Sequence, residues 1–236
     1  MSKKTDIIGT ALENFYFHNT DIPIIIHSPD FDEDEILPSW YFRDFDSMPE
    51  LEKIALKYCR GHILDVGAGA GSHSLILQKM GFKVSALDIS EGACRIMKER
   101  SVENVFQEDI FQFQSDKYDT VLMMMNGIGL CGNLDGLDLF LLKLKEMLNL
   151  GGQVIMDSSN LKYLFSEKEF TSRIKYSQGY YGEIQFQMEY LEKKSEKFSW
   201  LFIDFDELSK RAAKHNFKTE ILYKAENLHY LARIFA

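Results

Sequence analysis

Residues 63–74 read ILDVGAGAGSHS, an apolar run that carries an acid, Asp65, and then sets Gly67, Gly69 and Gly71 at alternate positions. Where a buried parallel strand turns sharply into a helix, glycine supplies the unusual dihedrals. Without a β-carbon it also lets a ligand lie against the main chain. Two further acids close the next apolar runs. Asp88 ends KVSALD, about 20 residues beyond the first glycine, where a carboxylate can accept hydrogen bonds from the hydroxyls of a ribose. Asp109 follows NVFQE, where an acid can meet an adenine amino group. The glycines alone would serve as a structural turn; together with the acids they describe a nucleoside site.

The pattern departs from a dinucleotide fingerprint. It runs Gly-x-Gly-x-Gly, with Ser72 where the third glycine of Gly-x-Gly-x-x-Gly would fall, and Asp65 stands just before it. A pyrophosphate requires backbone amides and a helix N-terminus with no carboxylate beside them. A ligand carrying an ammonium and a sulfonium is instead favoured by one. The spacing therefore favours S-adenosylmethionine over a nicotinamide cofactor. Methyl transfer from a sulfonium is an in-line displacement that asks chiefly for alignment and exclusion of water. A base is needed only where the acceptor must lose a proton, and no catalytic residue is assigned from the sequence.

These residues need a scaffold, and the hydrophobic periods supply one. From residue 49 onward PELEKIALKYC, SHSLILQKM, SEGACRIMKERS and LDGLDLFLLKLKEMLN have helical spacing. HILDV, KVSALDI, NVFQEDI, YDTVLMMM and QVIMDSS read as strands between them. Strands alternating with helices imply right-handed crossovers and an α/β, Rossmann-like, doubly wound and mostly parallel sheet. After it, EIQFQMEYLEKKSEKFSWLFIDF reads as a β-hairpin turning near residues 193–197. DELSKRAAKHNF is then a helix, and KTEILYKA and LHYLARIFA are two strands joined at ENL. A helix near residues 5–17 and a strand IPIII precede the domain. Residues 1–48 are expected to form a lid or cap, residues 49–236 the main domain, and an insertion at about 167–204 a substrate wall.

Residues 49–160 resemble class I S-adenosylmethionine-dependent methyltransferases: LDVGAGAGSHSLIL, ALDIS, EDIF, YDTVLMMMNGIG and LKEMLNLGGQVIMDSS fall in that family's order. The resemblance implies a seven-stranded sheet whose last strand is antiparallel. It implies that Asp65 and the main chain of Gly67, Ala68, Gly69 and Gly71 hold the methionine part of the cofactor. Asp88 would take the ribose hydroxyls, with Ile89 against the adenine and Asp109 and Ile110 at its other edge. The main chain around Met125 and Asn126 would sit beside the methyl donor. Within that family the chain looks like the small-molecule branch.

Methyltransferases that act on base amino groups or glutamine amides commonly carry Asn/Asp-Pro-Pro-Tyr/Phe after the fourth strand. Here the segment is Asn126-Gly127-Ile128, without proline. Asn126 reads equally as a turn residue or a cofactor contact, and Met123, Met124 and Met125 as buried strand. Formal net charge is −9 over 236 residues, which argues against a nucleic-acid partner, since phosphate contacts need a basic face. Residues 30–52 hold one basic residue, Arg43, among many carboxylates. They read as a solvated acidic loop, with a wall for a cationic substrate as the sharper alternative. Tyr41, Arg43, Tyr180 and Tyr181 are candidate lid contacts, with surface or core packing the simpler reading.

His73 reads as a helix residue near the cofactor with no proton to move, and no partner pattern is assigned to His18, His27 or His215. Cys59, Cys94 and Cys131 are isolated; Cys131 reads as a buried small hydrophobe, and no metal site is expected. Scattered cysteines, no signal peptide and no membrane-spanning run point to the cytoplasm. The expected function is methyl transfer to a small molecule, with oligomeric state open. Methylation of protein or RNA, a non-catalytic cofactor-binding module and a nicotinamide oxidoreductase are the alternatives.

Overall fold

The computed structural model describes residues 5–114, 116–165, 179–225 and 228–236. Asp6 caps α1 (Ile7–His18) by accepting from the Gly9 N–H, and Asn19 ends it in the left-handed conformation. β1 (Ile24–His27) and β2 (Asp34–Ile36) pair antiparallel. β2 lies inside the acidic stretch read from sequence as a loop: its carboxylates point to water while the main chain satisfies a neighbouring strand. α2 (Glu50–Tyr58) leads into β3 (His62–Val66), α3 (Ser72–Lys79), β4 (Lys83–Asp88), α4 (Glu91–Glu99) and β5 (Asn104–Gln107). Next come β6 (Tyr118–Met123), α5 (Leu134–Met147) and β7 (Leu148–Ser159). α5 buries Leu137, Phe140, Leu141 and Leu144, the i, i+3, i+4, i+7 face expected of an amphipathic helix. Each such side chain contributes about 1.5–3 kcal/mol on burial.

β8 (Glu183–Tyr190), β9 (Lys193–Lys194) and β10 (Phe198–Leu201) follow. The turn between β8 and β9 is Leu191–Glu192, both at positive φ, and not the lysine-rich stretch at 193–197. Lys194 is drawn into the ladder opposite Glu189, with their charges 3.0 Å apart, and a two-residue turn of this hand matches strand twist. α6 (Phe205–Lys214), β11 (Lys218–Lys224) and β12 (His229–Phe235) complete the chain. Residues 167–178 of the expected insertion and residues 226–227 of the expected ENL turn lie outside the described residues.

The seven-stranded sheet has the order β11-β12-β7-β6-β3-β4-β5. β3–β4, β4–β5 and β6–β7 are parallel, while β12 runs antiparallel to β7 and to β11. This is the doubly wound α/β architecture read from the periodicity, with the antiparallel last strand. A second sheet has the order β10-β8-β1-β2, with β9 on β8.

The chain divides into two compact units. The first comprises the described residues of Met1–Pro49, Gly61–Gln114 and Gln185–Phe198. In it α1 lies on α4, with Leu12, Ala70, Ala93 and Ile96 in one buried cluster. The second comprises Glu50–Arg60 and the described residues of Ser115–Ile184 and Ser199–Ala236. Among the described residues, no helix is long and apolar enough to cross a membrane.

Candidate active site

In the first unit β3 ends at Val66 and the chain bends through Gly67, at φ 69°. A β-carbon on Gly67 would meet nothing within 4 Å, so that face of the main chain is open. At Gly71, φ 80°, a β-carbon would stand 2.8 Å from Val102 and 3.0 Å from Met97, so bareness there serves packing against α4. The loop's N–H groups are largely spent. Gly67 and Ala68 donate to the Leu87 carbonyl, Gly71 donates to the Ala68 carbonyl, and Gly69 donates to Asp88 Oδ2 at 2.9 Å. A phosphate site needs such donors free. This loop instead offers bare main chain flanked by acids.

Both Asp88 oxygens are placed by the protein: Oδ2 by Gly69, Oδ1 by the Ser90 N–H at 2.9 Å. Burial pushes this carboxyl up to about 6, against those two hydrogen bonds and with a smaller push from Asp6 and Asp65. Asp65 is 2% exposed and accepts from the Ser74 hydroxyl at 2.6 Å. Burial raises it too, opposed by His73 and Ser74. The Tyr41 ring would lie 3.1 Å from a β-carbon on Gly69, and the Tyr41 carbonyl accepts from the Ser72 hydroxyl at 2.6 Å. Burial and Asp88 push the Tyr41 hydroxyl up to about 12. After β5, Asp109 Oδ1 accepts from the Phe111 N–H at 2.9 Å, Ile110 is buried, and the Glu108 N–H donates to the Asp88 carbonyl. Ile89 is 70% exposed.

In the second unit β6 ends at Met123, and Met125 and Asn126 follow at φ 59° and 55°. Left-handed conformations at non-glycine residues cost of order 1–3 kcal/mol each and persist only where the surroundings impose them. Here the Asn126 N–H donates to both oxygens of Asp157, at 3.0 and 2.9 Å. Its side chain donates to the Leu201 carbonyl and accepts from the Ser158 hydroxyl. Asp157, in β7, is 1% exposed, and His229 Nε2 lies 2.7 Å from its Oδ2. Trp200 covers Gly129, where any β-carbon would overlap the indole. The Tyr180 and Tyr181 hydroxyls both reach Asp204, the N-cap of α6.

A family model described as a methyltransferase domain matches residues 60–222. No curated protein matches the chain. The chain is similar to a crystal structure of a S-adenosylmethionine-dependent methyltransferase from Bacteroides fragilis in complex with S-adenosyl-L-homocysteine. The two are 42% identical over 97% of this chain and 94% of that one, with a TM-score of 0.89. The chain belongs to the S-adenosylmethionine-dependent methyltransferases. An S-adenosylmethionine-bound amino pentose methyltransferase from Micromonospora echinaspora shares the fold at 12% identity, covering 81% and 93% of the chains with a TM-score of 0.54. A glycopeptide N-methyltransferase complexed with S-adenosylmethionine does so at 14% identity, covering 82% and 94%, with a TM-score of 0.54.

The methyltransferase gathers Asp65, Gly67, Ala68, Gly69 and Asp88 at the carboxyl ends of β3 and β4, with Asp109 and Ile110 just after β5. Gly71 also packs against Val102 and Met97. Met125 lies beyond β6 in a left-handed turn and is not buried strand, because Asp157 captures the next N–H. The Asn126 side chain is consumed by Leu201 and Ser158. Arg43 is spent on Trp40, its Nη1 donating to the Trp40 carbonyl and its guanidinium 4.0 Å from the ring centre. Tyr180 and Tyr181 brace Asp204. His27 lies between Glu33 and Glu189, and His215 meets Asp138, partners that the sequence reading did not assign. Cys131 is a buried thiol whose pKa burial raises, as expected of a small hydrophobe. The sequence reading of this methyltransferase passed over Asp157 and His229. The available signal was an acid inside the buried run QVIMDSS, which needs a partner from elsewhere in the chain.

Proposed function

We propose that this methyltransferase acts on a small-molecule acceptor. Asp65, the main chain of Gly67, Ala68 and Gly69, Asp88, Ile89, Asp109 and Ile110 hold the cofactor, while Met125 and Asn126 border its reacting end. The observation that carries this reading is the clamp of Asp88 on the Gly69 N–H beside the open face of Gly67. S-adenosylmethionine supplies, when bound, a sulfonium-borne methyl group. Each Asp88 oxygen keeps acceptor capacity after its bond to Gly69 or Ser90, enough for the two ribose hydroxyls. Asp65 and Asp88 together favour a cation over a phosphate at the loop. Tyr41 lies over Gly69 and shields this corner from water.

Three features support a small acceptor: the net charge of −9, the Asn126-Gly127-Ile128 segment without prolines, and fold neighbours that act on an amino pentose and a glycopeptide. Cys59, Cys94 and Cys131, all buried thiols, agree with a cytoplasmic setting. Calorimetry with S-adenosylmethionine and S-adenosylhomocysteine tests the reading. Binding of both is expected, and absence of heat with either overturns it.

A further inference from the structure

We infer that His229, held by Asp157, is the base that takes the acceptor's proton during methyl transfer, so that the acceptor is a hydroxyl or a neutral amine. This rests on the reading that Met125 and Asn126 border the reacting end. Asp157 sits near the carboxyl end of β7, and His229 opens β12, paired with Ser159. Both oxygens of Asp157 receive the Asn126 N–H, and Oδ2 also receives His229 Nε2. The pair is therefore one hydrogen bond from the segment proposed to border the methyl group.

The burial of the two partners is unequal. Asp157 is 1% exposed, whereas the His229 side chain is 31% exposed. A buried carboxylate is costly unless paired, and a neutral donor such as an amide would serve that purpose alone. An imidazole does more. With the proton on Nε2 facing the carboxylate, Nδ1 carries a lone pair, and among the described residues it has no hydrogen-bond partner. His27, by contrast, has both ring nitrogens engaged by carboxylates.

In the transfer step the acceptor's lone pair forms a bond to the methyl carbon. The carbon–sulfur bond breaks with its pair going to sulfur, and the acceptor's proton passes to His229 Nδ1. Asp157 balances the resulting imidazolium, the role a carboxylate plays behind histidine in hydrolytic triads.

The donor carries a positive sulfur and the product a neutral one, which gives a test that needs no acceptor. The full-length protein is titrated by NMR of the His229 ring, assigned by its loss in His229→Gln, in complex with S-adenosylmethionine and then with S-adenosylhomocysteine. Asp157, which touches His229, and the neighbouring Tyr230 with the Asp204 and Tyr181 charges that act on it, are common to both complexes. The expected result is a His229 titration lower by about half a pH unit or more with the donor, from the sulfonium charge. Equal titrations with both ligands bound overturn the base assignment alone. Failure of both ligands to bind overturns the cofactor reading and the base with it. A panel of phenols, alcohols and amines with labelled donor adds a second readout: for any member methylated, His229→Gln should lower kcat by about 10²-fold or more with donor KM unchanged. An unchanged kcat overturns the proposal.

Discussion

Asp88 carries the most testable chemistry at the scale of single residues. Replacing it by alanine removes the charge-assisted acceptors proposed for the ribose hydroxyls, and cofactor affinity should fall by about 1–3 kcal/mol in calorimetry. Unchanged affinity would place the ribose elsewhere. Because burial holds this carboxyl near 6, the protonated form, a poorer acceptor, dominates below that pH. Affinity for S-adenosylhomocysteine should therefore weaken as pH falls from 7.5 to 5, and the loss should vanish in Asp88→Asn. The stability linkage has the opposite sense. A carboxyl raised in the folded state contributes stability that is fully present below the ordinary aspartate value of 3.8 and is lost as pH rises through about 6. Melting curves should show Asp88→Asn gaining on the parent protein across that window as pH rises. A difference independent of pH would mean that Asp88 is not strained by burial.

Among the elements, α1 and α4 depend on each other. A β-carbon on Gly92 would stand 2.6 Å from the Gly9 main chain, and Asp6 Oδ2 accepts from both the Ser90 hydroxyl and the Gly92 N–H. The front helix thus rests on the first turn of the helix that follows Asp88. Gly92→Ala should cost about 1–3 kcal/mol in thermal or denaturant unfolding, since two backbones in contact cannot relax cheaply. It should also weaken the cofactor site by displacing Ser90. A variant of unchanged stability would show the two helices free to separate. The helical and strand periods were legible in the sequence because each obeys its own local repeat. The close approach of Gly9 and Gly92 was not, since two glycines so far apart in the chain leave no local pattern.

Over the whole molecule, a net charge of −9 sets the expectation for partners. Gel-shift or filter binding with transfer RNA at physiological salt should detect no complex at micromolar protein, because phosphate contacts supply most non-specific affinity. A complex with steep salt dependence would favour RNA methylation instead. The sequence by itself determined the doubly wound sheet, the family and the glycine–acid grouping of the loop after β3. Strand and helix periods are local, and Asp65, Gly67 and Asp88 each follow or close a strand whose position in a parallel sheet is nearly forced. Only the tertiary structure decided that Gly71 abuts Val102 and Met97, that Met125 leaves the strand, and that Asp157 meets His229. Those pairings join residues distant in the chain through strand register, which no periodicity within a single segment encodes.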